Sequence, residues 1–172
     1  QSKINIKKNI LELFDRAIKR RLVADVDVGV FLSGGLDSSL IVSSLAEQGY
    51  SLPCFTMGFE NSSDYYEERP QAHRLAKYFG MESHTFEINE KMTIKKLPEI
   101  FNACDEPFAD TSAIPFYMLA NKVSSKLKVV LSGDGGDEVF AGYRKHLGEK
   151  WSKLPHLIPK YFRDLIVNSL IE

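Results

Sequence analysis

Apolar residues at Ile4, Ile6, Ile10, Leu11, Leu13, Phe14, Ala17, Ile18 and Leu22 recur at helical spacing among lysines and arginines. They predict an amphipathic helix over 4–22, packed along one side. The next run is different in kind. Val28-Gly-Val-Phe-Leu32 is continuous, rich in β-branched and aromatic residues and too short for an ordinary helix, so it predicts a strand buried in a parallel sheet. It breaks into Ser33-Gly34-Gly35, and from Leu36 the pattern turns helical through Leu40, Ile41, Ser44 and Leu45. Pro53–Phe59 predicts a second strand, Asn61–Asp64 a loop, and Tyr65–Phe79 a helix with Ala72, Leu75, Ala76 and Phe79 inward. His84–Ile88 reads as a third strand, 90–103 and 113–125 as helices, Lys128–Leu131 as a further strand, and Val139, Phe140 and Tyr143 as part of another helix. Residues 151–172 read as the start of a helix whose apolar face, with Phe162, Leu165, Ile166, Leu170 and Ile171, wants a partner. Strands alternating with helices imply an α/β fold, a parallel Rossmann-like sheet of about four or five strands with helices on both faces.

In such sheets ligands sit at the carboxyl ends of the strands, which places Met57 and Gly58 beside the Ser33–Ser39 loop. Strand, glycine turn and helix N-terminus form a geometry suited to an anion, because the backbone can come close and the first helical N–H groups point at it. Ser33, Ser38 and Ser39 add hydroxyl donors, and Asp37 adds a carboxylate. Beside phosphate that carboxylate makes sense with Mg²⁺ between them. The loop is not a Walker A motif, since no lysine lies between Lys19 and Lys77. An ordinary strand-turn-helix junction capped by Ser or Asp is the plainer alternative.

Leu131-Ser132-Gly133-Asp134-Gly135-Gly136-Asp137-Glu138 repeats the design with three carboxylates. It lacks the ligand spacing of a calcium-binding EF-hand. Two such corners can face each other across a bound nucleotide. Between them in sequence, Asp105-Glu106-Pro107-Phe108-Ala109-Asp110 is a rigid acidic loop, with Thr111 or Ser112 available to cap the following helix. A solvated loop and a substrate or metal role both remain open for it.

Composition narrows the field. At 172 residues the chain fits one domain, and 22 basic against 23 acidic residues leave a formal charge of −1. That balance argues against a broad nucleic-acid surface. No apolar run reaches the length of a membrane span, and the N-terminus has no signal-peptide character. Cys54 and Cys104 are isolated and read as small buried hydrophobes in a reducing compartment, so the cytoplasm is the expected location. His73 reads as a surface helix residue, His84 as a hydrogen-bonded strand residue, and Lys19-Arg20-Arg21 as the solvated last turn of the first helix.

The Ser33-Gly-Gly-Leu-Asp-Ser38 loop resembles that of the ATP pyrophosphatase (PP-loop) family, which cleaves ATP between the α and β phosphates. Further motifs follow in order: Phe55-Thr-Met-Gly-Phe59, the spacing Glu68, Ala72, Ala76, Gly80, His84, then Asp105-Glu-Pro107 and Leu131–Glu138 with Gly142-Tyr143. Together they resemble the synthetase domain of glutamine-dependent asparagine synthetases over residues 10–146. The resemblance implies an adenine-nucleotide α-hydrolase-like fold, with residues 1–150 as the ATP pyrophosphatase core and 151–172 as the start of a truncated helical part. It also implies that Ser33, Gly34, Gly35, Asp37, Ser38 and Ser39 wrap the pyrophosphate of ATP. Asp37 and Asp137 would hold Mg²⁺, the backbone at Leu32 and Met57 would border the adenosine, and Ser132 and Gly133 would contact the nucleotide from the other side. Asp134 falls at a position linked to forming a β-aspartyl-adenylate, where several family members carry glutamate, and Glu106 and Asp110 would border the acceptor.

The implied reaction is ATP-dependent amidation of aspartate to asparagine through β-aspartyl-AMP, releasing AMP and pyrophosphate. Ammonia would come from a glutaminase domain to which nothing in this sequence corresponds, and a catalytic lysine expected downstream is also missing. The chain therefore reads as a fragment, poorly equipped to complete the reaction alone, whose bare apolar faces favour self-association as a homodimer. Rival readings are amidation or cyclisation of another carboxylate, such as a polysaccharide sugar acid or a β-lactam precursor, a PP-loop enzyme acting on tRNA, and a nucleotide-binding module that has lost catalysis.

Overall fold

A computed structural model describes residues 3–60, 67–104, 106, 110–143, 145, 146 and 148. Asn61–Asp64, Asp105 and the helix expected in 151–172 lie outside the described residues. The chain divides into two compact units, the first ending at Gly133 and the second beginning at Asp134. The first unit holds strands β1 (Val28–Phe31), β2 (Cys54–Phe59), β3 (Ser83–Ile88) and β4 (Val129–Leu131). It also holds helices α1 (Lys3–Arg21), α2 (Leu36–Glu47), α3 (Arg69–Tyr78), α4 (Glu90–Ala103) and α5 (Ala113–Val123). The second unit contributes the short helix α6 (Gly136–Phe140).

The four strands form one sheet in the order β3-β2-β1-β4, and every pairing is parallel. All four residues of β1 are buried because both faces are covered, which is why its sequence is uninterruptedly apolar. On one face Val28, Val30 and Leu32 pack with Ile41, Val42 and Leu45 of α2, Ala72 and Ala76 of α3, and Ile18 of α1. On the other, Phe31 and Phe55 pack with Leu119 and Val123 of α5. The chain steps outward through β1, β2 and β3, then returns past β1 to β4. The order therefore reverses between β1 and β4, and the loops leaving their carboxyl ends part there.

Three elements differ from the sequence expectation. Helix α6 ends at Phe140, where Ala141 turns left-handed, so Tyr143 lies beyond it. Helix α3 begins at Arg69 and not at Tyr65. The Glu67 carboxylate accepts the Arg69 N–H at 3.0 Å, and Pro70 supplies a first-turn residue with no N–H to satisfy. Helix α1 is not packed along its length. Ile18 is buried and Phe14 and Leu22 join the core, but Ile4 is 79% and Leu13 56% exposed among the described residues. Nineteen helical residues span about 28 Å and the twelve of α2 about 18 Å, so α1 overhangs its support. The two helices join near the C-terminal half of α1, where the Ser44 hydroxyl donates to Asp15 Oδ1 at 2.5 Å. The basic Lys19–Arg21 turn is exposed, as expected. Among the described residues no helix is long and apolar enough to cross a membrane.

Beneath the first loop, the buried Thr56 hydroxyl donates to the Leu32 carbonyl at 2.6 Å. Thr56→Val should lower the unfolding free energy by about 1 kcal/mol in a urea titration, with the slope unchanged.

Candidate functional site

Chain geometry at the end of β1 is fixed before the loop begins. The Leu32 N–H donates to the Phe55 carbonyl at 2.9 Å, and the Leu32 carbonyl accepts from Thr56. The chain then turns through Ser33-Gly34-Gly35 into α2. Gly34 takes φ +86°, and a Cβ there would lie 3.1 Å from the Ala72 nitrogen. Only glycine meets both demands without strain. Ser33 Oγ accepts the Gly35 N–H at 3.1 Å and stands 3.1 Å from Ser38 Oγ. The Ser38 and Ser39 hydroxyls donate to the Gly35 carbonyl at 3.3 and 2.6 Å. The first helical bond of α2 runs from the Ser39 N–H to Gly35, so the N–H groups of Leu36, Asp37 and Ser38 have no intrahelical acceptor. Asp37 is half-buried in this first turn, and among the described residues nothing bonds to its carboxylate.

The loop leaving β4 meets this turn. Val30 pairs with Leu131, so Ser132 and Gly133 emerge at the same sheet edge as Ser33. A Cβ at Gly133 would lie 3.0 Å from both Asp37 Cβ and the Ser38 nitrogen, a close approach that the missing side chain permits. Gly34, Gly35, Asp37, Ser38, Ser39, Ser132 and Gly133 are thus gathered at the reversal between β1 and β4. Hydroxyls and main-chain N–H groups dominate the gathering, and it contains no lysine or arginine.

Asp134 and Asp137 belong to the second unit. Asp134 is exposed, and Asp137 stands in the first turn of α6 after the left-handed Gly135. A side chain at Gly142 would collide with the Asp137 carboxylate, and the Gly142 N–H donates to the Asp137 carbonyl at 3.0 Å. The neighbouring Glu138 accepts the Tyr143 hydroxyl, which holds its carboxyl below the usual range. Among the described residues no group of three or more His, Cys, Asp or Glu side chains could hold a metal by itself.

The remaining candidates are dispersed. Met57 is half-buried in the apolar cluster that α5 covers. Glu106 is exposed. Asp110 Oδ1 accepts the Ser112 N–H at 2.8 Å, and Ser112 holds the N-cap position of α5 expected of Thr111 or Ser112, although its side chain makes no capping bond. Bonds from the Ser112 N–H and hydroxyl hold the Asp110 carboxyl below its ordinary value. Desolvation raises the Glu68 carboxyl, although the residue keeps much of its surface in solvent. Burial pushes the Cys54 thiol up to about 11, which leaves it inert as a nucleophile. His73 is exposed, and His84 stacks on Phe55 with its Nε2 3.0 Å from Glu82.

Sequence reasoning missed Thr56 and Gln71. A hydroxyl inside the apolar run Cys54–Phe59 was the available signal for Thr56. Gln71 Nε2 donates to the Gly34 carbonyl at 2.8 Å, and nothing in the sequence around Gln71 marks it.

A family model described as asparagine synthase matches residues 9–170. An asparagine synthetase [glutamine-hydrolyzing] 1 from Bacillus subtilis is 38% identical over 136 residues, covering 79% of this chain and 21% of the relative. The Mus musculus asparagine synthetase [glutamine-hydrolyzing] is 34% identical over 148 residues, 80% of this chain and 26% of the relative. A Methanocaldococcus jannaschii relative is 38% identical over 164 residues, 91% of this chain and 31% of its own. The chain thus spans less than a third of the length of these relatives. Among solved structures, the NH3-dependent NAD synthetase of Campylobacter jejuni superposes with TM-score 0.52 at 20% identity, covering 79% of this chain and 60% of that one. The glutamine-dependent NAD+ synthetase of Acinetobacter baumannii, solved with ADP, gives 0.51 at 19%, covering 77% and 26%. At such identities these neighbours establish the fold alone, a Rossmann-like sheet of the adenine-nucleotide α-hydrolase type, as the sequence led us to expect.

Gly34→Ala should cost about 1–2 kcal/mol of unfolding free energy through its left-handed φ. Gly35→Ala, at φ −68°, should cost less in the same urea titration.

Proposed function

Because this chain belongs to the asparagine synthase family, we propose that it is the ATP-handling part of an enzyme that amidates aspartate to asparagine. The observation that carries this reading is the meeting of the Ser33–Ser39 and Ser132–Gly133 loops at the reversal of strand order, where hydroxyls gather with helical N–H groups that have no acceptor within α2. The triphosphate lies along Ser33, Gly34, Gly35, Ser38 and Ser39. The backbone at Leu32 and Met57 borders the adenosine, and Ser132 and Gly133 contact the nucleotide from the β4 side.

Asp37, to whose carboxylate nothing bonds among the described residues, is suited to hold Mg²⁺, an ion that takes oxygen ligands, and the family resemblance assigns Asp137 the same role. When bound, Mg²⁺ neutralises charge on the departing pyrophosphate. The substrate carboxylate attacks the α-phosphorus, the bond to the β-phosphate breaks, and the loop donors stabilise the leaving oxygens. Asp134 assists at the resulting β-aspartyl-AMP. Ammonia then displaces AMP and leaves the amide.

No protein nucleophile is needed, and a buried thiol such as Cys54 supplies none. The relatives' names specify glutamine hydrolysis, and that step belongs to a glutaminase domain outside these 172 residues. The acceptor is bordered by Glu106 and by Asp110, one of whose oxygens already accepts the Ser112 N–H. The cytoplasm is the setting for such a reaction, with small molecules as partners.

The test supplies the intact protein with ATP, Mg²⁺ and ammonium, with and without L-aspartate, and resolves the products by chromatography. AMP, pyrophosphate and asparagine formed only with aspartate are expected. ADP and phosphate would overturn the reading of the loop, and turnover with a different carboxylate would replace the acceptor. Asp37→Ala should weaken Mg²⁺-ATP binding about tenfold or more, the worth of a charge-assisted contact of about 1.5–3 kcal/mol. An unchanged circular dichroism spectrum would accompany that loss.

A further inference from the structure

We propose that Gln71 is a positioning residue for nucleotide binding, acting by orienting the Gly34–Gly35 peptide. The inference rests on the reading of Ser33–Ser39 as the phosphate loop. No cis peptide occurs among the described residues. In a trans peptide the C=O and N–H point in opposite directions. The Gly34 carbonyl accepts from Gln71 Nε2 at 2.8 Å, and the N–H of the same peptide donates to Ser33 Oγ at 3.1 Å. One end of the peptide is therefore held against α3 and the other is turned toward the hydroxyl pair Ser33 and Ser38.

Glycine at 34 is what makes the clamp necessary. Flanked by two glycines, this peptide has no Cβ to resist rotation, and a flip would aim a carbonyl oxygen where the anion has to sit. Gln71 removes that freedom. Because Ser38 Oγ donates to the Gly35 carbonyl, the proton of Ser33 Oγ is the one available to the contact between the two hydroxyls or to a phosphate oxygen.

Gln71 can act as a clamp because α3 is itself held in place. Ala72 and Ala76 are fully buried and small, which lets the helix lie close on the sheet. At its start Arg69 donates to Glu67 and, through Nη1, to Glu87 of β3 at 2.7 Å, and its side chain crosses the bare Cα of Gly58. The loop thus takes its orientation from β3 by way of Arg69 and Gln71.

The experiment compares Gln71→Met and Gln71→Glu with the natural residue in the intact protein. It measures Mg²⁺-ATP affinity by calorimetry, the thermal midpoint, and the KM for ATP and for the acceptor. Met keeps the length and helix preference of Gln and replaces its amide with a thioether that cannot donate. It should weaken ATP binding by about fivefold to tenfold, as expected for one lost hydrogen bond, with the midpoint and the acceptor KM unmoved. Glu should weaken it further, since its carboxylate faces the Gly34 carbonyl. ATP affinity of Gln71→Met equal to the natural protein, or a loss matched by a fall in the midpoint, would overturn the clamp. Absence of Mg²⁺-ATP binding by the natural protein would instead overturn the underlying reading of the loop.

Discussion

Val28–Phe31 are covered from both sides, by α1, α2 and α3 through Val28 and Val30 and by α5 through Phe31, and the loop geometry descends from that double burial. A strand buried on both faces cannot slip by one residue without exchanging every side chain between two differently shaped clusters. The register Val30 to Cys54 on one side and Val30 to Leu131 on the other is therefore held firmly. Ser33 and Ser132 consequently leave the sheet at a common edge. Thr56, paired to Leu32, extends this fixity one residue past the strand.

At that edge the chemistry is that of dipoles. A Walker-type loop brings a lysine to its phosphates, whereas this one offers hydroxyls, main-chain N–H groups and a carboxylate. In this structure the donors satisfy one another: Gly35 N–H to Ser33, Ser33 beside Ser38, and Ser38 and Ser39 to the Gly35 carbonyl. Such a loop is already ordered when a ligand arrives, and bonds are exchanged more than created, which reduces the entropy lost on binding. The close seats of Gly34 on α3 and Gly133 on the first turn of α2 keep these donors within one small volume.

Where reading the chain residue by residue went astray, the cause was a local preference overridden by a neighbour. Ser112 holds the N-cap of α5 as its residue type suggests, yet its hydroxyl turns to the Asp110 carboxylate and not to a helical N–H. The helical pattern extends back to Tyr65, yet Glu67 and Pro70 start the helix at Arg69. The stripe of α1 has the periodicity of a buried face, but periodicity says nothing about how much surface lies opposite, and twelve residues of α2 cannot cover nineteen.

The sequence by itself determined the strands, their parallel sense, the glycine turns and the family, because these follow from short-range patterns: an apolar run of a given length, a Ser-Gly-Gly break, motifs in order. Only the tertiary structure decided which side chains from distant stretches serve the loop. Thr56 lies 24 residues and Gln71 37 residues from the carbonyls they hold. Such bonds depend on how β2 and α3 are laid against β1, and a hydrogen bond between remote residues leaves no period in the chain. The physical difference is one of range, since backbone preference acts over a few residues whereas donor and acceptor meet only once packing has set the distance.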